Sequence, residues 1–185
     1  MRARVEFPSK YSIVTSGFNI KGYILFEQLS INDPVMVTVE LINLPNGLHG
    51  FHIHEKGLSD IILKNVEKNE NICNKLGGHF NPYKTVHGSY ALKTQRHAGD
   101  LINNLNVNNN KVSIQFLDNL ISLFNTEINC ILNKSIVIHE TEDDQGIPGY
   151  NALINNKTTL TKKESESLIT GNAGNRIACG NINLI

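Results

Sequence analysis

The chain has few cysteines, no excess of either charge and no long apolar run. Its 185 residues include three cysteines, too few for a small secreted module that disulfides hold together. Basic and acidic residues balance at a formal net charge of zero, so the overall charge favours neither nucleic acid nor an anionic membrane as a partner. No apolar stretch approaches the roughly 20 residues of a membrane-spanning helix. Any function that depends on charge must therefore be local.

No internal repeat or linker-like segment divides the chain, and 185 residues are enough for one domain with a sizeable core. We therefore expect a single domain over residues 1–185, in which residues 1–10 form an N-terminal extension. The first residues carry positive charge, but no unbroken apolar core follows them, as it would in a secretory signal peptide. The expected location is accordingly cytoplasmic.

Alternating apolar and polar residues predict short β-strands along much of the chain. The clearest case is the set Val35, Val37, Val39 and Leu41, which gives a strand with one buried face. Eight strands are expected, at residues 11–16, 21–28, 35–41, 52–54, 97–102, 112–116, 136–139 and 178–185. The first two form a hairpin, and an Asn-rich turn occupies residues 103–110.

Two long loops interrupt this pattern, at residues 55–78 and 141–175. Long loops are usually functional or covalently fastened. A short helical turn within residues 59–70 is the only helix that the sequence suggests. Short strands separated by turns and two long loops favour an all-β fold, an antiparallel sandwich or barrel, over an α/β fold.

Histidine is the residue type that points most directly to function. His52 and His54 alternate in a predicted strand, so both imidazoles lie on one face, about 6.6 Å apart at the backbone. Such a pair can bind one metal ion, although it can also be purely structural. Four further histidines in polar, glycine-rich contexts favour the metal site: His79, His87, His97 and His139. We interpret the six as a dispersed site that the fold assembles.

Five blocks of sequence follow the order of the copper/zinc superoxide dismutase family, which the chain resembles from about residue 11 to the C-terminus. The blocks are residues 47–57, 78–82, 96–101, 137–144 and 171–180. The resemblance implies an eight-stranded antiparallel Greek-key β-barrel with an immunoglobulin-like sandwich architecture. It also implies an oxidoreductase that converts two superoxide radicals to oxygen and hydrogen peroxide, while copper is alternately reduced and reoxidised.

The resemblance assigns two overlapping sets of metal ligands. Copper would be bound by His52, His54, His79 and His139, and zinc by His79, His87, His97 and Asp100. Cu(II) favours square-planar or tetragonal nitrogen ligands, and three imidazoles with one carboxylate suit tetrahedral zinc. His79 would bridge the two metals and carry a proton during catalysis. Arg176 would lie beside the copper and attract the substrate anion.

Asp143 matches the carboxylate that, in this family, accepts hydrogen bonds from one copper ligand and one zinc ligand, here His52 and His87. Such a residue fixes the tautomer and orientation of both rings. The residues alone also allow a simpler interpretation, in which Asp143 and Asp144 are solvated loop residues. The seventh histidine, His49, is interpreted as a structural hydrogen-bonding residue.

The resemblance implies different roles for the three cysteines. Cys73 and Cys179 occupy the two places where the family forms its intrachain disulfide. Disulfides are unusual in the cytosol, so this expectation depends on the resemblance and departs from the usual behaviour of that compartment. Cys130 is expected to be a free thiol.

The chain departs from typical family members in its two long loops, both of which carry insertions. Asn133 replaces a glycine that is common at the family's dimer contact, and Ile169 stands where a lysine that guides substrate is common. We expect Lys157, Lys162 and Lys163, in the inserted segment, to substitute for that lysine.

Superoxide is the expected substrate, a second copy of the chain the expected partner, and a copper chaperone a further partner. The alternative is a non-catalytic metal-binding or decoy homologue, or the dismutase-like domain of a metal chaperone. Decoys tend to lose copper ligands or the arginine, and this chain retains both.

Overall fold

Two antiparallel β-sheets of five strands each form the computed structural model, which describes residues 1–15, 17–62, 71–92 and 95–185. The strands are β1 (Arg2–Phe7), β2 (Ser12–Val14), β3 (Lys21–Glu27), β4 (Val35–Ile42), β5 (Gly47–His54), β6 (Asn103–Val107), β7 (Lys111–Asp118), β8 (Ser135–His139), β9 (Arg176–Asn181) and β10 (Asn183–Leu184). The helices are α1 (Leu58–Ile62), α2 (Ile147–Ile154) and α3 (Lys162–Thr170), together with a 3₁₀ helix at Ile72–Leu76. Across the described residues, no helix is both long and apolar enough to cross a membrane.

The strand order is β10-β1-β3-β4-β7 in the first sheet and β2-β9-β8-β5-β6 in the second. Neighbouring strands are antiparallel throughout. The predicted all-β antiparallel sandwich is therefore confirmed. The described residues form ten strands, because β1 was not expected, the predicted strand 178–185 is divided into β9 and β10, and β6 takes the place of the strand predicted at 97–102.

The hydrophobic core lies between the sheets and follows from alternation along the strands. The four alternating apolar residues of β4 are buried, and they belong to one cluster with Phe51 and Ile53 of β5. Since successive side chains of a strand point to opposite faces, the intervening His52 and His54 project from the outer face of the second sheet. The two long loops lie against that face.

A smaller apolar cluster attaches the first long loop to the outer face of the second sheet. It consists of Leu58, Ile61, Cys73, Leu76, Val137 and Cys179. The first four come from α1 and the 3₁₀ helix, and the last two come from β8 and β9. Their burial holds the loop close to the end of β5, where His54 lies.

The first ten residues are part of the sandwich, so the expected N-terminal extension is wrong. β1 pairs with β3 from Arg2 to Phe7, and its alternate side chains Ala3, Val5 and Phe7 are buried in the core. The hairpin predicted from residues 11–16 and 21–28 is also wrong, because β2 pairs with β9 while β3 pairs with β1 and β4. The alternating apolar face of β1 makes it the better partner for β3.

The strand predicted at residues 97–102 is wrong, and the strand in this region is β6, within the expected Asn-rich turn. Leu105 and Val107 alternate and are buried, which places β6 beside β5. The turn itself is short and includes Asn109 and Asn110, both with positive φ. The predicted strand 178–185 is divided between β9 and β10.

The second long loop contains two helices that were not expected, α2 and α3. α3 begins with a capping box, in which Thr161 and Glu164 bind each other's backbone N–H groups. The sequence Thr-Lys-Lys-Glu at 161–164 is the usual signature of this arrangement. In the first loop, α1 overlaps the predicted helical turn at 59–70, of which residues 63–70 lie outside the described residues.

Candidate metal centre

β5 and β8 bring three histidines together on the outer face of the second sheet. His52 and His54 project from β5, and His139 ends the neighbouring antiparallel strand β8. A Cβ atom at Gly50 would lie within 3.2 Å of side-chain atoms of Ala173, His139 and His52. Glycine at position 50 therefore leaves the space that the two imidazoles occupy.

His79, from the loop after β5, completes a group of four buried imidazoles. A single β-bridge joins it to His54 beyond the end of β5. The ring centroids of His52 and His79 are 4.0 Å apart, and those of His54 and His139 are 5.7 Å apart. One nitrogen from each of the four rings lies within 4.8 Å of the others. The four rings thus surround a single point.

Four nitrogens of this group are buried and, among the described residues, have no hydrogen-bond partner: His52 Nδ1, His54 Nε2, His79 Nε2 and His139 Nε2. Leaving buried polar atoms unpaired costs free energy, and folded proteins rarely do it four times in one place. Imidazole nitrogens are common ligands of copper. The residues present therefore fit a bound copper ion.

In His54 and His139 the opposite ring nitrogen is held by the backbone. His54 Nδ1 lies 3.0 Å from the carbonyl oxygen of Gly77, and His139 Nδ1 lies 3.2 Å from that of Gly174. A carbonyl can only accept, so the proton resides on Nδ1 and the Nε2 lone pair is free. Burial lowers the pKa of both histidines well below the ordinary value, which keeps the rings neutral, as metal ligation requires.

The second group joins His79 to two further histidines around Asp100. The Nδ1 atoms of His79 and His97 lie 2.7 and 3.1 Å from Asp100 Oδ1, and His87 Nδ1 lies 3.0 Å from Oδ2. All four residues are buried, with one ligand atom of each within 4.8 Å of the others. Three imidazoles and one carboxylate are a typical donor set for tetrahedral zinc. These residues fit a bound zinc ion.

Asp143 connects the two groups. Its Oδ2 lies 2.6 Å from His52 Nε2, and its Oδ1 lies 2.9 Å from His87 Nε2. Burial would raise the pKa of Asp143, but the hydrogen bonds from His52 and His87 hold it far below the ordinary value. Burial likewise opposes protonation of His87, yet hydrogen bonds to Asp100 and Asp143 raise its pKa to about 10. The carboxylate thus orients one ring in each group.

A cavity of about 320 Å³ opens onto the first group. His54, His79 and His139 form its floor, and Arg176 forms part of its wall. The rest of the lining comes from Gly78, from α3 and from the segment just beyond α3: Glu166, Thr170, Asn172, Ala173 and Gly174. An anion that enters this cavity meets the guanidinium of Arg176 and the imidazoles of His54, His79 and His139.

Arg176 is fixed through the first loop. Its Nη1 donates to the carbonyl oxygen of Cys73 and its Nη2 to that of Gly77, both at 2.7 Å. Cys73 is bonded to Cys179 of β9 in a disulfide, as predicted, while Cys130 is free. The disulfide therefore holds the backbone carbonyl against which the guanidinium rests.

Comparison with known proteins decides the family. The family profile described as copper/zinc superoxide dismutase matches residues 20–182. The chain belongs to the copper/zinc superoxide dismutase family. Copper and zinc are the cofactors of this family, and the two donor groups described above are suited to those ions. β1 and β2 lie before the matched range, although they complete the same sandwich.

Relatives of similar length support this membership. The chain is 38% identical over 172 residues to superoxide dismutase [Cu-Zn] 5 of Dictyostelium discoideum, which covers 92% of this chain and 95% of the relative. It is 37% identical over 168 residues to superoxide dismutase [Cu-Zn] 4 of the same organism, with coverage of 90% and 93%. A crystal structure of the clock protein EA4 has a TM-score of 0.71 and 31% identity, and the match covers all of this chain and 94% of that one.

The seven residues predicted to bind metal in this superoxide dismutase all lie in the two groups: His52, His54, His79, His139, His87, His97 and Asp100. Asp143 lies between the groups, and Arg176 borders the cavity. His49, interpreted as structural, is buried with its ring nitrogens 2.9 Å from the carbonyl oxygens of Pro45 and His139. The geometry therefore brings the seven proposed metal ligands, Asp143 and Arg176 into one region.

Sequence reasoning missed two asparagines of β6 that contact Asp143. Asn103 Nδ2 lies 2.8 Å from the carbonyl oxygen of Gly88 and 3.2 Å from Asp143 Oδ2. Asn104 binds the backbone of Asp143 through both ends of its side-chain amide. The only signal in the sequence was the alternation of Leu105 and Val107, which the abundance of asparagine concealed.

Sequence reasoning also missed Gly171, the C-cap of α3, with φ of 66°. A Cβ atom there would collide with the Asp143 carboxylate and the His87 ring. Only glycine combines this left-handed conformation with so close an approach. The end of α3 is thereby packed directly against the Asp143–His87 pair.

The cationic residues proposed to guide substrate differ in their surroundings. Lys157 is paired with Glu164 at 2.6 Å, so its charge is partly neutralised. Lys162 and Lys163 lie one turn before Glu166, which borders the cavity. Both lysines are exposed, and neither is among the described residues that line the cavity. Ile169 is half exposed and, in the described part of the chain, is not among the lining residues.

Proposed function

We propose that this superoxide dismutase binds copper and zinc in the two overlapping groups and acts on superoxide in the cavity above the first. Copper is assigned to His52, His54, His79 and His139, and zinc to His79, His87, His97 and Asp100. The main support is that histidine nitrogens with no hydrogen-bond partner among the described residues converge at the floor of a cavity. Arg176 borders the same cavity. Copper held by this group would supply the one-electron redox chemistry that disproportionation of superoxide requires.

The protein's own residues supply charge, orientation and protons. Arg176 uses one N–H of each terminal nitrogen on the carbonyl groups of Cys73 and Gly77. A guanidinium has five N–H donors, so others remain for the anion. This arrangement supports a role for Arg176 in attracting superoxide and orienting it above the imidazoles.

His79 is proposed as the proton carrier. Its Nδ1 is engaged with Asp100, whereas its Nε2 has no hydrogen-bond partner among the described residues and the ring borders the cavity. A proton held at Nε2 is therefore within reach of a bound anion, and peroxide requires two protons. Burial and the neighbouring His52 lower the pKa of His79 to about 3, which keeps the ring neutral, as metal ligation requires.

The alternative of a non-catalytic metal-binding homologue predicts a damaged copper group or a missing arginine. Here four imidazoles converge and Arg176 borders the same cavity. The presence of Arg176 beside a complete set of copper ligands favours a catalytic dismutase over a non-catalytic homologue.

The proposal for partners and location includes a homodimer, a copper chaperone that loads the metal, and a cytoplasmic site of action. Asn133, which stands where the family commonly has glycine, has φ of 62°. Asparagine tolerates this conformation better than other non-glycine residues, which supports retention of the local backbone at the dimer contact. Sedimentation at micromolar concentration tests the dimer, and cell fractionation tests the location.

Metal content of the purified protein and of the His139→Ala variant tests the ligand assignment. We expect one copper and one zinc in each chain, and loss of copper with retention of zinc in the variant, because His139 belongs only to the first group. His97→Ala is the matched control, in which zinc should be lost first. Loss of zinc alone from His139→Ala would contradict the assignment.

A further inference from the structure

We propose that Asn104 is a positioning residue that holds the Asp143 carboxylate between the two metal groups, an inference that rests on the metal assignment above. Asn104 Nδ2 donates to the carbonyl oxygen of Asp143 at 2.8 Å, and the backbone N–H of Asp143 donates to Asn104 Oδ1 at 2.8 Å. One side-chain amide thus satisfies both backbone groups of Asp143.

The location of Asn104 explains why a side chain takes this role. β6 is an edge strand of the second sheet, and Asn104 is paired with Gly50 of β5. The segment that carries Asp143 crosses this position, since Gly50 N–H donates to the carbonyl oxygen of Thr141 at 2.9 Å. Asp143 itself is not in a strand, and the amide of Asn104 binds its backbone as a neighbouring strand would.

Holding the backbone of Asp143 fixes its carboxylate. Asp143 is fully buried, and its two oxygens accept from His52 Nε2 at 2.6 Å and His87 Nε2 at 2.9 Å. These bonds orient both rings through Nε2, so that the Nδ1 atoms face the metal groups. A shift of the backbone would lengthen both bonds, and the two rings would lose a fixed orientation.

Asn103 is a less suitable test residue, although it also touches Asp143. Its side chain joins the carbonyl oxygen of Gly88 and the N–H of Tyr90 as well, and its φ is 62°. A change there would disturb the segment after His87 and the start of β6 together. Asn104 is half-buried and acts on the metal groups through Asp143, so its effect can be isolated.

The proposal is tested by measuring the zinc affinity of the metal-free protein in competition with a chelator. The absorption spectrum of bound Co²⁺ is a second probe of the zinc group. Asn104→Leu removes both hydrogen bonds at similar volume and should weaken zinc binding by about 10-fold to 100-fold, the usual effect of losing such a partner. Asn106→Leu is the control, because Asn106 is an exposed residue two positions along the same face of β6, bonded to Asn108. Its zinc affinity should equal that of the wild type.

A double-mutant cycle with Asp143→Asn separates positioning from a general structural effect. If Asn104 acts through the carboxylate, Asn104→Leu should not weaken zinc binding further once Asp143 is replaced, although it should still lower the melting temperature of the metal-free protein. Fully additive losses of zinc affinity would overturn the proposal. Asn104→Ala, which adds no bulk, takes the place of Asn104→Leu if the latter does not fold.

The failure of this proposal can be told from failure of the metal assignment. Wild-type zinc affinity in Asn104→Leu, in a protein that binds zinc normally, would overturn the role of Asn104 and leave the assignment intact. Failure of the wild-type protein to bind zinc or Co²⁺ would overturn both.

Discussion

At the level of single residues, the most informative atoms are the four histidine nitrogens that face one another at the floor of the cavity. In the described part of the chain they have no hydrogen-bond partners, whereas the opposite nitrogens of the same rings are bound to Asp143, Gly77, Asp100 and Gly174. This division sets the tautomer of each ring. Because these bonds also hold the rings in place, a substitution elsewhere in the cavity wall can alter substrate capture and leave the metal ligands undisturbed.

Glu166 offers a test of that separation. It borders the cavity with Arg176, and its negative charge opposes the approach of an anion. Glu166→Gln should therefore raise kcat/KM by a few-fold at low ionic strength, with metal content unchanged. Stopped-flow measurement of superoxide decay at several salt concentrations gives both quantities.

Glu127→Gln is the control, since it makes the same change of charge at a residue that borders a different cavity. Its kcat/KM should match that of the wild type. A rate for Glu166→Gln at or below the wild-type value would show that Glu166 does not repel the substrate.

At the level of elements, the two long loops carry the parts that the strands cannot supply. α3 presents Glu166 and Thr170 to the cavity and ends at Gly171, directly against Asp143 and His87. The 3₁₀ helix carries Cys73 and leads to Gly77, whose carbonyl groups hold Arg176. The strands position the imidazoles, and the loops position the charges.

Lys162 and Lys163, at the start of α3, provide a test at the level of elements. Lys162→Glu combined with Lys163→Glu should lower kcat/KM several-fold and weaken its dependence on ionic strength, because both exposed residues lie one turn before Glu166, which borders the cavity. Electrostatic attraction of substrate, for which this enzyme family is itself a standard example, would explain both effects.

Lys21→Glu combined with Lys111→Glu is the matched control, placed on the first sheet at the ends of β3 and β7. That control should leave the salt dependence close to the wild-type value. If the α3 variant behaves like the control, attraction rests on Arg176 and the helix has another use.

The disulfide should affect stability and capture together. Replacing Cys73 and Cys179 with serine removes a link between residues 106 positions apart, which is worth about 5 kcal/mol in the chain-entropy description. It also loosens the Cys73 carbonyl group that holds Arg176. We expect a lower free energy of unfolding in urea and a lower kcat/KM, with copper retained in the folded fraction. An unchanged kcat/KM would show that the disulfide is not needed to position Arg176.

At the level of the whole molecule, the sandwich and the donor groups could be predicted, while the helices and the chain ends could not. Apolar patterning located β4, β5, β7 and β8, the alternation of His52 and His54 indicated a metal site, and the resemblance to the family supplied both ligand sets. β1 was missed because its apolar face is only three residues long, and α3 because its polar sequence shows no helical periodicity of apolar residues. The role of Asn104 depends on which loop crosses β6, which no local pattern reveals.

Removal of both metals should destabilise the whole molecule. The two groups join β5, β8 and both long loops, so metal binding to the folded state alone adds stability by mass action, about 4 kcal/mol for one ion at 1,000 times its dissociation constant. A chelator should therefore lower the melting temperature, and zinc added back should recover a large part of it. Equal melting temperatures with and without metal would mean that the groups are not occupied in the native protein.

The most direct test of the central claim is the rate of superoxide disproportionation per bound copper, measured on one metal-analysed preparation. A rate that rises in proportion to copper content and is lost in His139→Ala, while zinc remains, is the predicted result. A copper-loaded wild-type protein that leaves superoxide decay at its uncatalysed rate would contradict the claim.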